Sequence, residues 1–227
     1  MNPASAVAVA AAGWLAGLDT VSGPQAMYSR PLVAGLLGGA AVGAPLPGLA
    51  IGALLELFAL DTLPVGASRY PDWGPGSVAV GALAAIHRHT IGAPGLLALV
   101  LVAVCAAWLG GLLSHVVRRA NTAAVLNGRA ALDRGDPALV AAIQHRGLFL
   151  DGARALALTA LAYVAGELAL ALILEHWGLP ARVAQIALVA TSIGVALNAG
   201  WRFVGRGRVL WLAGGLAAGA LAAVWLR

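Results

Sequence analysis

The amino-acid sequence predicts an all-α, polytopic integral membrane protein. Of its 227 residues, 61% are hydrophobic and only 10% are charged, whereas about a quarter of the residues in an average soluble domain are charged. The mean hydropathy is +0.89. Apolar runs near the roughly 20 residues that a helix needs to cross a bilayer recur along the chain. This composition excludes an ordinary water-soluble protein of this size.

Apolar runs of sufficient length predict the membrane helices. The segment Met1–Leu18 is apolar and lacks the basic n-region of a signal peptide, which favours a retained first membrane helix over a cleaved signal peptide. We treat the chain as a single membrane domain, residues 1–227. The clearest further spans are Ala93–Val117, Leu148–Leu174, Ala184–Ala199 and Val209–Leu226.

The N-terminal half contains apolar pieces that are too short to cross a bilayer. These pieces are Pro31–Val42, Gly48–Leu60 and Ser77–Ile86, and glycine- and proline-rich breaks at 43–48 and 63–76 separate them. Broken backbone of this kind is tolerated at membrane depth where it packs on protein or lines an aqueous cavity. The pattern therefore predicts re-entrant or broken helices in a transporter-like fold, with residues 1–92 as the translocation region and residues 93–227 as spanning helices.

A basic segment, residues 118–147, interrupts the second half. It is predicted to form two short amphipathic helices, with a break at Arg134–Pro137 where Asp136 can cap the second helix. The positive-inside rule places this segment in the cytoplasm. It also explains the net charge of +5 without a nucleic-acid partner. Residues 87–92 and 176–182 then face outward, residues 201–208 inward and the C-terminus outward, whereas the orientation of the first 90 residues is not fixed.

Glu56 is the leading candidate for a binding residue, because it lies in an apolar run. A charge near the centre of a membrane helix costs about 2.5–3.5 kcal/mol on insertion scales, so such residues are functional candidates. A carboxylate there can bind the hydroxyl groups of a ligand. The alternative is a structural role, with Glu56 pairing a helix end or Arg30.

Two further polar sets are candidates for ligand binding. Asp19, Gln25 and Arg30 follow the first helix, and the alternative is that they are ordinary loop residues. Asp72 and Arg69 lie in a loop rich in proline, glycine and aromatic residues. That loop can present Asp72 to a ligand, although the two residues can instead form a surface pair worth about 0–1 kcal/mol.

The remaining polar residues predict no catalytic centre. Glu167 and Asn198 lie in spans and are interpreted as helix-packing residues. The histidines are scattered, and Cys105 is the only cysteine, which excludes an intramolecular disulfide and a cysteine-based metal cluster. We expect no catalytic residues, no metal and no cofactor.

Four sequence pieces in the first third of the chain carry a family resemblance. In order and spacing, over about 60 residues, they resemble the signature region of the membrane permease (IIC) component of mannose/fructose/sorbose-family phosphotransferase systems. The hairpin tip reads Gly43-Ala44 where the family commonly has Gly-Asp, and the chain looks shorter at its C-terminus than typical members. The pieces are Ser29–Gly35 with the glycine-rich hairpin that follows it, Gly52–Leu57, Leu63–Ala67 and Pro71-Asp72.

The resemblance implies the sugar-translocating channel subunit of a mannose-type, phosphoenolpyruvate-dependent phosphotransferase system. It implies a IID membrane subunit as partner, the cytoplasmic phosphocarriers IIA and IIB, a hexose substrate, a trimeric assembly, and a multi-pass location in the bacterial cytoplasmic (inner) membrane. It also implies that the phosphotransfer residues lie on the partner proteins, so that this chain is not itself an enzyme. Glu56, Asp72 and polar residues of the stretch Asp19–Arg30 are then expected to line the sugar path.

Two other functions remain open on the sequence. One is a substrate-capture or regulatory membrane subunit of an importer outside the phosphotransferase system. The other is an enzyme with an intramembrane active site, which the scattered histidines disfavour. A neighbouring reading frame that resembles a IID subunit would favour the phosphotransferase-system function over both of these alternatives.

Overall fold

The computed structural model describes residues 1–23, 25–60, 70–176 and 178–203, with the side chains of 202 and 203 excepted. Every regular element in these ranges is helical, as the sequence predicts. The predicted span Val209–Leu226 lies outside the described residues. The helices are α1 (Pro3–Asp19), α2 (Pro31–Ala41), α3 (Pro45–Ala59), α4 (Trp73–Ile86), α5 (Gly92–Asn127), α6 (Arg129–Leu132), α7 (Pro137–Ala171), which a π-helical turn (Leu172–His176) continues, and α8 (Ala181–Phe203).

Three of the described helices are long and apolar enough to cross a membrane. They cover Gly92–Asn127, Pro137–His176 and Ala181–Trp201, and they contain the predicted spans Ala93–Val117, Leu148–Leu174 and Ala184–Ala199. The predicted first span, Met1–Leu18, corresponds to the 17-residue α1, which is shorter than these three helices. The four helices before them have only 11 to 17 residues. The chain is therefore a multi-pass membrane protein with short helices in its N-terminal half.

Proline begins several of these helices. Pro31, Pro45 and Pro137 each occupy one of the first helical positions, where the missing N–H costs no hydrogen bond. Pro3 does the same in α1, and the side chain of Asn2 accepts a hydrogen bond of 2.7 Å from the Ser5 amide. The prolines that interrupt the apolar runs in the sequence therefore lie at the first positions of helices in the structure.

Helices α2 and α3 form a close hairpin that depends on glycine. A Cβ atom added at Gly35 would lie 2.6 Å from the Gly48 carbonyl oxygen, and one at Gly52 would lie 2.6 Å from the Pro31 carbonyl oxygen. Small residues four apart allow membrane helices to approach at the level of their backbones. Gly43 turns the chain between the helices with φ of +81°, a conformation that suits glycine.

Helix α4 is the centre of the bundle. All of its residues from Trp73 to Ala85 are buried. Gly81 packs on the backbone of Gly35 in α2, and a Cβ atom at Gly74 would lie 2.7 Å from the Ala16 carbonyl oxygen in α1. Its other sides meet α5 and α7, so α4 is screened from lipid.

The structure differs from the prediction of two short helices in the basic segment. Helix α5 continues without a break from the membrane span to Asn127, and α7 runs from Pro137 into the next span. Neither proline nor glycine lies between Gly111 and Gly128, so nothing in the local sequence ends α5 earlier. Asp136 does cap α7, accepting from the amides of Ala138 at 2.9 Å and Leu139 at 3.3 Å.

Packing also supplies the orientation that charge alone leaves open. Gly13 of α1 lies against Thr159 of α7, and Gly17 lies against Ala155. The two helices are therefore antiparallel, so the N-terminus lies at the end of the bundle away from residues 118–147. The C-terminal end of α1 and the loop that follows it lie toward the basic segment.

Candidate functional site

The polar side chains of the N-terminal half meet at one end of the bundle. This end contains the C-terminus of α1, the loop after it, the starts of α2 and α4, and the end of α3. Gly110 and Gly111 of α5 pack against Asp72 and Tyr70 at this level, about 11 Å along the helix axis before Arg118 at 1.5 Å per residue. The set lies inside the apolar span, in the half nearer the basic segment.

Asp19 organises the loop between α1 and α2. Its carboxylate accepts hydrogen bonds from the amide of Ala26 at 2.6 Å and from both the amide and the hydroxyl of Ser29 at 3.0 Å. The residue is 2% exposed. Gln25, in contrast, is exposed, with a left-handed φ of 54°. Asp19 therefore fixes the loop that delivers Ser29 and Arg30, and Gln25 lies on its surface.

Arg30 and Glu56 form an ion pair that joins the two ends of the α2–α3 hairpin. The Arg30 Nε donates to Glu56 Oε1 at 2.7 Å, and a second guanidinium nitrogen bonds the same oxygen. Glu56 Oε2 accepts from the Leu32 amide at 3.1 Å. Both side chains keep some exposure, 31% for Arg30 and 21% for Glu56. The pair is therefore held in place and still accessible to a ligand.

A small pocket opens beside Arg30. It has a volume of about 60 Å³ and combines hydroxyl groups, a guanidinium group and two aromatic rings. The chemistry of these donors, acceptors and ring faces suits a polyhydroxylated ligand. The volume is below the roughly 300 Å³ of a typical ligand pocket, so a ligand of that kind requires the pocket to widen. The pocket is lined by Thr20, Ser29, Arg30, Pro31, Tyr70, Pro71 and Trp73.

Asp72 begins α4 and forms a buried ion pair with Arg154 of α7. The side chain of Arg154 is 4% exposed and that of Asp72 is 1% exposed. Arg154 also donates to Asp151 at 2.7 Å and to the Gly17 carbonyl oxygen at 3.1 Å. These bonds tie α1, α4 and α7 together at the level of the pocket.

The surroundings of Asp72 complete this buried network. Its amide donates to the Ala107 carbonyl oxygen of α5 at 2.8 Å, and the Thr20 hydroxyl lies 3.4 Å from its carboxylate. The Ser22 hydroxyl donates to Asp151 at 2.7 Å. A buried charge is tolerated when paired and hydrogen-bonded, and this network meets that condition. Asp72 therefore fixes its neighbours Pro71 and Trp73, which line the pocket, against α5 and α7.

Glu167 lies at the other end of the bundle. It accepts from the Tyr163 hydroxyl at 3.1 Å and lies 3.1 Å from the His87 Nε2 at the end of α4. This contact joins α7 to the end of α4, consistent with the helix-packing interpretation.

The structure brings together some predicted residues and adds others. Arg30 and Glu56 are in direct contact. Asp19 bonds Ser29, the residue next to Arg30, and Asp72 lies next to Thr20 of the pocket lining. Arg69 lies outside the described residues. Among the described residues, no group of three or more histidine, cysteine, aspartate or glutamate side chains is arranged to hold a metal ion.

Sequence reasoning did not single out four residues of this region. Tyr70 and Trp73 directly flank Pro71-Asp72 in the sequence, so their position next to the candidate Asp72 could have indicated that they belong to the same site. Neither Arg154 nor Asp151 is a candidate in the sequence analysis, because both lie after the basic segment, residues 118–147. Nothing local marks Arg154 as the partner of a residue 82 positions away.

A family model covers most of the chain. The model is described as EII-Sor, PTS system sorbose-specific iic component, and it matches residues 4–198. The chain belongs to this family. The prediction of a phosphotransferase-system IIC component is confirmed, and a IIC component is a membrane permease subunit.

Two solved structures share the fold of this IIC chain. One, titled "Structure of membrane protein", is 22% identical with a TM-score of 0.73, and the match covers 100% of this chain and 92% of that one. The other, titled "CryoEM Structure of Mannose Transporter ManYZ and Microcin E492 (MceA) complex", is 23% identical with a TM-score of 0.61, covering 100% and 96%. None of the curated proteins matches the chain.

Proposed function

We propose that this IIC chain forms the sugar path of a mannose-type phosphotransferase system together with a IID subunit, and that a hexose binds in the pocket beside Arg30. The observation that carries the proposal is the Arg30–Glu56 pair, because it places a fixed cation and a fixed carboxylate within the apolar span, and both remain partly exposed. A charge at this depth is costly, so an intramembrane charged residue is a functional candidate.

The pocket and the Glu56 carboxylate beside it together offer each kind of contact that a sugar ring uses. Arg30, in the pocket lining, donates hydrogen bonds to hydroxyl oxygens, and Glu56, which is bonded to Arg30 but is not part of that lining, accepts from hydroxyl hydrogens. The rings of Tyr70 and Trp73 line the same pocket and provide apolar faces for the C–H side of a sugar. Asp19 and Asp72 serve as positioning residues, because their oxygens are occupied by protein donors.

The α2–α3 hairpin is the element through which the sugar passes in this proposal. Both of its ends meet at the Arg30–Glu56 pair, and its two helices are too short to span the bilayer. Transport by alternating access requires the pocket to open first to one side and then to the other. Exchange of the Arg30–Glu56 hydrogen bonds for bonds to sugar hydroxyls gives a physical reason for this opening to depend on substrate.

The partners follow from the family. We propose that phosphate reaches the sugar from the soluble phosphocarriers IIA and IIB, that the chain assembles with IID as a trimer of pairs, and that it resides in the bacterial inner membrane with residues 118–147 in the cytoplasm. With that orientation the pocket lies nearer the cytoplasmic face, on the side where the phosphocarriers act.

The test is uptake of radiolabelled hexoses into vesicles that contain this chain, its IID subunit and the phosphocarriers, loaded with phosphoenolpyruvate. Accumulation of sugar phosphate that requires this chain supports the proposal. Uptake of unmodified sugar would move the function to an uncoupled facilitator. No response across a panel of hexoses would overturn the assignment of a hexose substrate.

A further inference from the structure

The basic segment, residues 118–147, forms a projecting helical hairpin, which we call the basic hairpin. It consists of the last 10 residues of α5, the short α6 and the first 11 residues of α7. At 1.5 Å per residue its arms extend about 15 Å beyond the apolar spans. The headgroup layer adds only about 5–7 Å on each side of the hydrocarbon core, so the tip lies in water.

The hairpin holds its shape through contacts between its own arms. The Arg146 guanidinium donates to the Ala120 carbonyl oxygen at 3.2 Å, and Gly128 lies against the side chain of Leu139. Asp136 caps α7. The structure therefore presents the hairpin as an ordered element.

The surface of the hairpin combines positive charge with exposed apolar side chains. Five arginines against two aspartates give a net charge of +3 over residues 118–147, and Arg129 and Arg134 at the tip are exposed. Leu126 is 61% exposed and Val140 is 51% exposed. Exposed apolar side chains among arginines are typical of a protein interface.

A lipid surface fits this arrangement less well than a protein does. Arg129 and Arg134 lie about 8–10 Å beyond the headgroup layer, because the arms extend about 15 Å past the apolar spans and the headgroups take up about 5–7 Å of that length. Attraction to anionic lipids falls off within a Debye length of about 8 Å. Leu126 and Val140 would also stay in water. An acidic protein surface complements the charge and covers the apolar side chains.

The base of the hairpin touches the candidate sugar pocket. The Arg118 guanidinium lies over the ring of Tyr70, 5.3 Å from its centroid, and Tyr70 lines the pocket. A protein bound to the hairpin therefore sits beside the point at which sugar leaves the membrane.

We propose that the basic hairpin docks an acidic surface of the soluble phosphocarrier that phosphorylates the sugar. The inference rests on the proposed function, since it names the partner of the same pocket. Docking brings the phosphoryl donor to the pocket and leaves passage of the sugar itself to the helices within the membrane.

The test compares Arg129→Glu/Arg134→Glu with Arg88→Glu/Arg182→Glu, a matched pair of exposed arginines at the opposite end of the bundle. Each is purified with its IID subunit in neutral-lipid nanodiscs, and binding of purified IIB protein is measured at low and high salt. We expect the hairpin variant to raise the dissociation constant about 10-fold and to flatten its salt dependence, with the matched variant unchanged. Exchange of radiolabelled hexose, measured in sealed neutral-lipid vesicles without any phosphocarrier, is expected to be equal in the unmodified complex and both variants.

The outcomes separate the two proposals. If the unmodified complex forms sugar phosphate and the hairpin variant forms it equally fast with unchanged IIB affinity, the docking inference is wrong and the proposed function stands. If the unmodified complex forms no sugar phosphate from any hexose, the proposed function itself fails. A defect that appears with anionic lipid and vanishes in neutral lipid would assign the arginines to lipid binding and overturn docking.

Discussion

Arg154 in α7 and Asp72 at the start of α4 form a buried ion pair, although 82 positions separate them in the chain. The same guanidinium bonds Asp151 and the last turn of α1. One arginine thus connects three helices directly behind the candidate sugar pocket. The rigidity of that wall depends on this arginine, because it forms ion pairs with two carboxylates at once.

Removing the arginine is expected to destabilise the protein more than removing either carboxylate. Arg154→Met leaves Asp72 and Asp151 buried without a cation, and breaking a buried pair costs about 3–5 kcal/mol. Asp72→Asn leaves Arg154 paired with Asp151 and is expected to cost less. Thermal unfolding in detergent, followed by size-exclusion chromatography, gives the ranking.

The control for this comparison is the exposed pair of Arg129 and Asp133, 3.7 Å apart. Arg129→Met removes a pair worth about 0.5 kcal/mol or less, so its melting temperature should match that of the unmodified protein. Equal loss in Arg154→Met and Arg129→Met would show that the buried network does not support the fold.

Glu56 is expected to be required for transport and dispensable for insertion. Glu56→Ala removes the carboxylate that holds Arg30 and the Leu32 amide, so uptake of sugar should be abolished while the protein still reaches the membrane at a normal level. Glu175→Ala, at an exposed position of the π-helical turn, is the matched control. Normal uptake by Glu56→Ala would remove this residue from the sugar path.

The α2–α3 hairpin is expected to be intolerant of a single methyl group. In Gly35→Ala the new Cβ atom would lie 2.6 Å from the Gly48 carbonyl oxygen and 2.9 Å from the Gly52 Cα atom. Backbone atoms cannot move aside as a flexible side chain can, so α2 and α3 have to move apart. We expect a lower yield of folded protein and lost uptake.

Gly194→Ala provides the comparison for this substitution, because no described atom lies within 4 Å of its added Cβ position. It should leave yield and uptake unchanged, and alanine is the better helix former. Equal behaviour of the two variants in yield and uptake would argue against close backbone packing in the hairpin.

Topology is tested by labelling single cysteines in a Cys105→Ala background. The antiparallel packing of α1 and α7 places the N-terminus opposite the basic hairpin. A membrane-impermeant maleimide should therefore label Arg129→Cys only from the cytoplasmic side and Ala4→Cys only from outside. Labelling of both positions from the same side would contradict the packing of α1 against α7.

Much of the fold follows from local sequence. Pro31 and Pro45 mark the starts of α2 and α3, and Gly43 marks the turn between them, because proline and glycine restrict or extend the backbone locally. The continuation of α5 through Arg118 and Arg119 was missed, since a change from apolar to basic residues was interpreted as a boundary. Arginine is a good helix former, so the change to basic residues marks where the helix leaves the membrane and not where it ends.

The candidate site could be predicted only in part. Glu56 and Arg30 were identified because charges next to apolar runs are unusual, and their pairing was one of the alternatives considered. Arg154 could not be assigned to Asp72 from the sequence. Their contact depends on how α4 and α7 pack, and the residues around Arg154 contain no signal of that packing.

The most direct test of the central claim is protection of the pocket by sugar. Thr20→Cys, in the Cys105→Ala background, places a thiol on the wall of the pocket, and Val125→Cys on the basic hairpin is the control for labelling remote from the pocket. Labelling is measured from the cytoplasmic side with and without each of several hexoses. If sugar binds beside Arg30, a transported hexose slows labelling of Thr20→Cys and leaves Val125→Cys unchanged. A variant that transports hexose normally but is never protected by it would contradict the account.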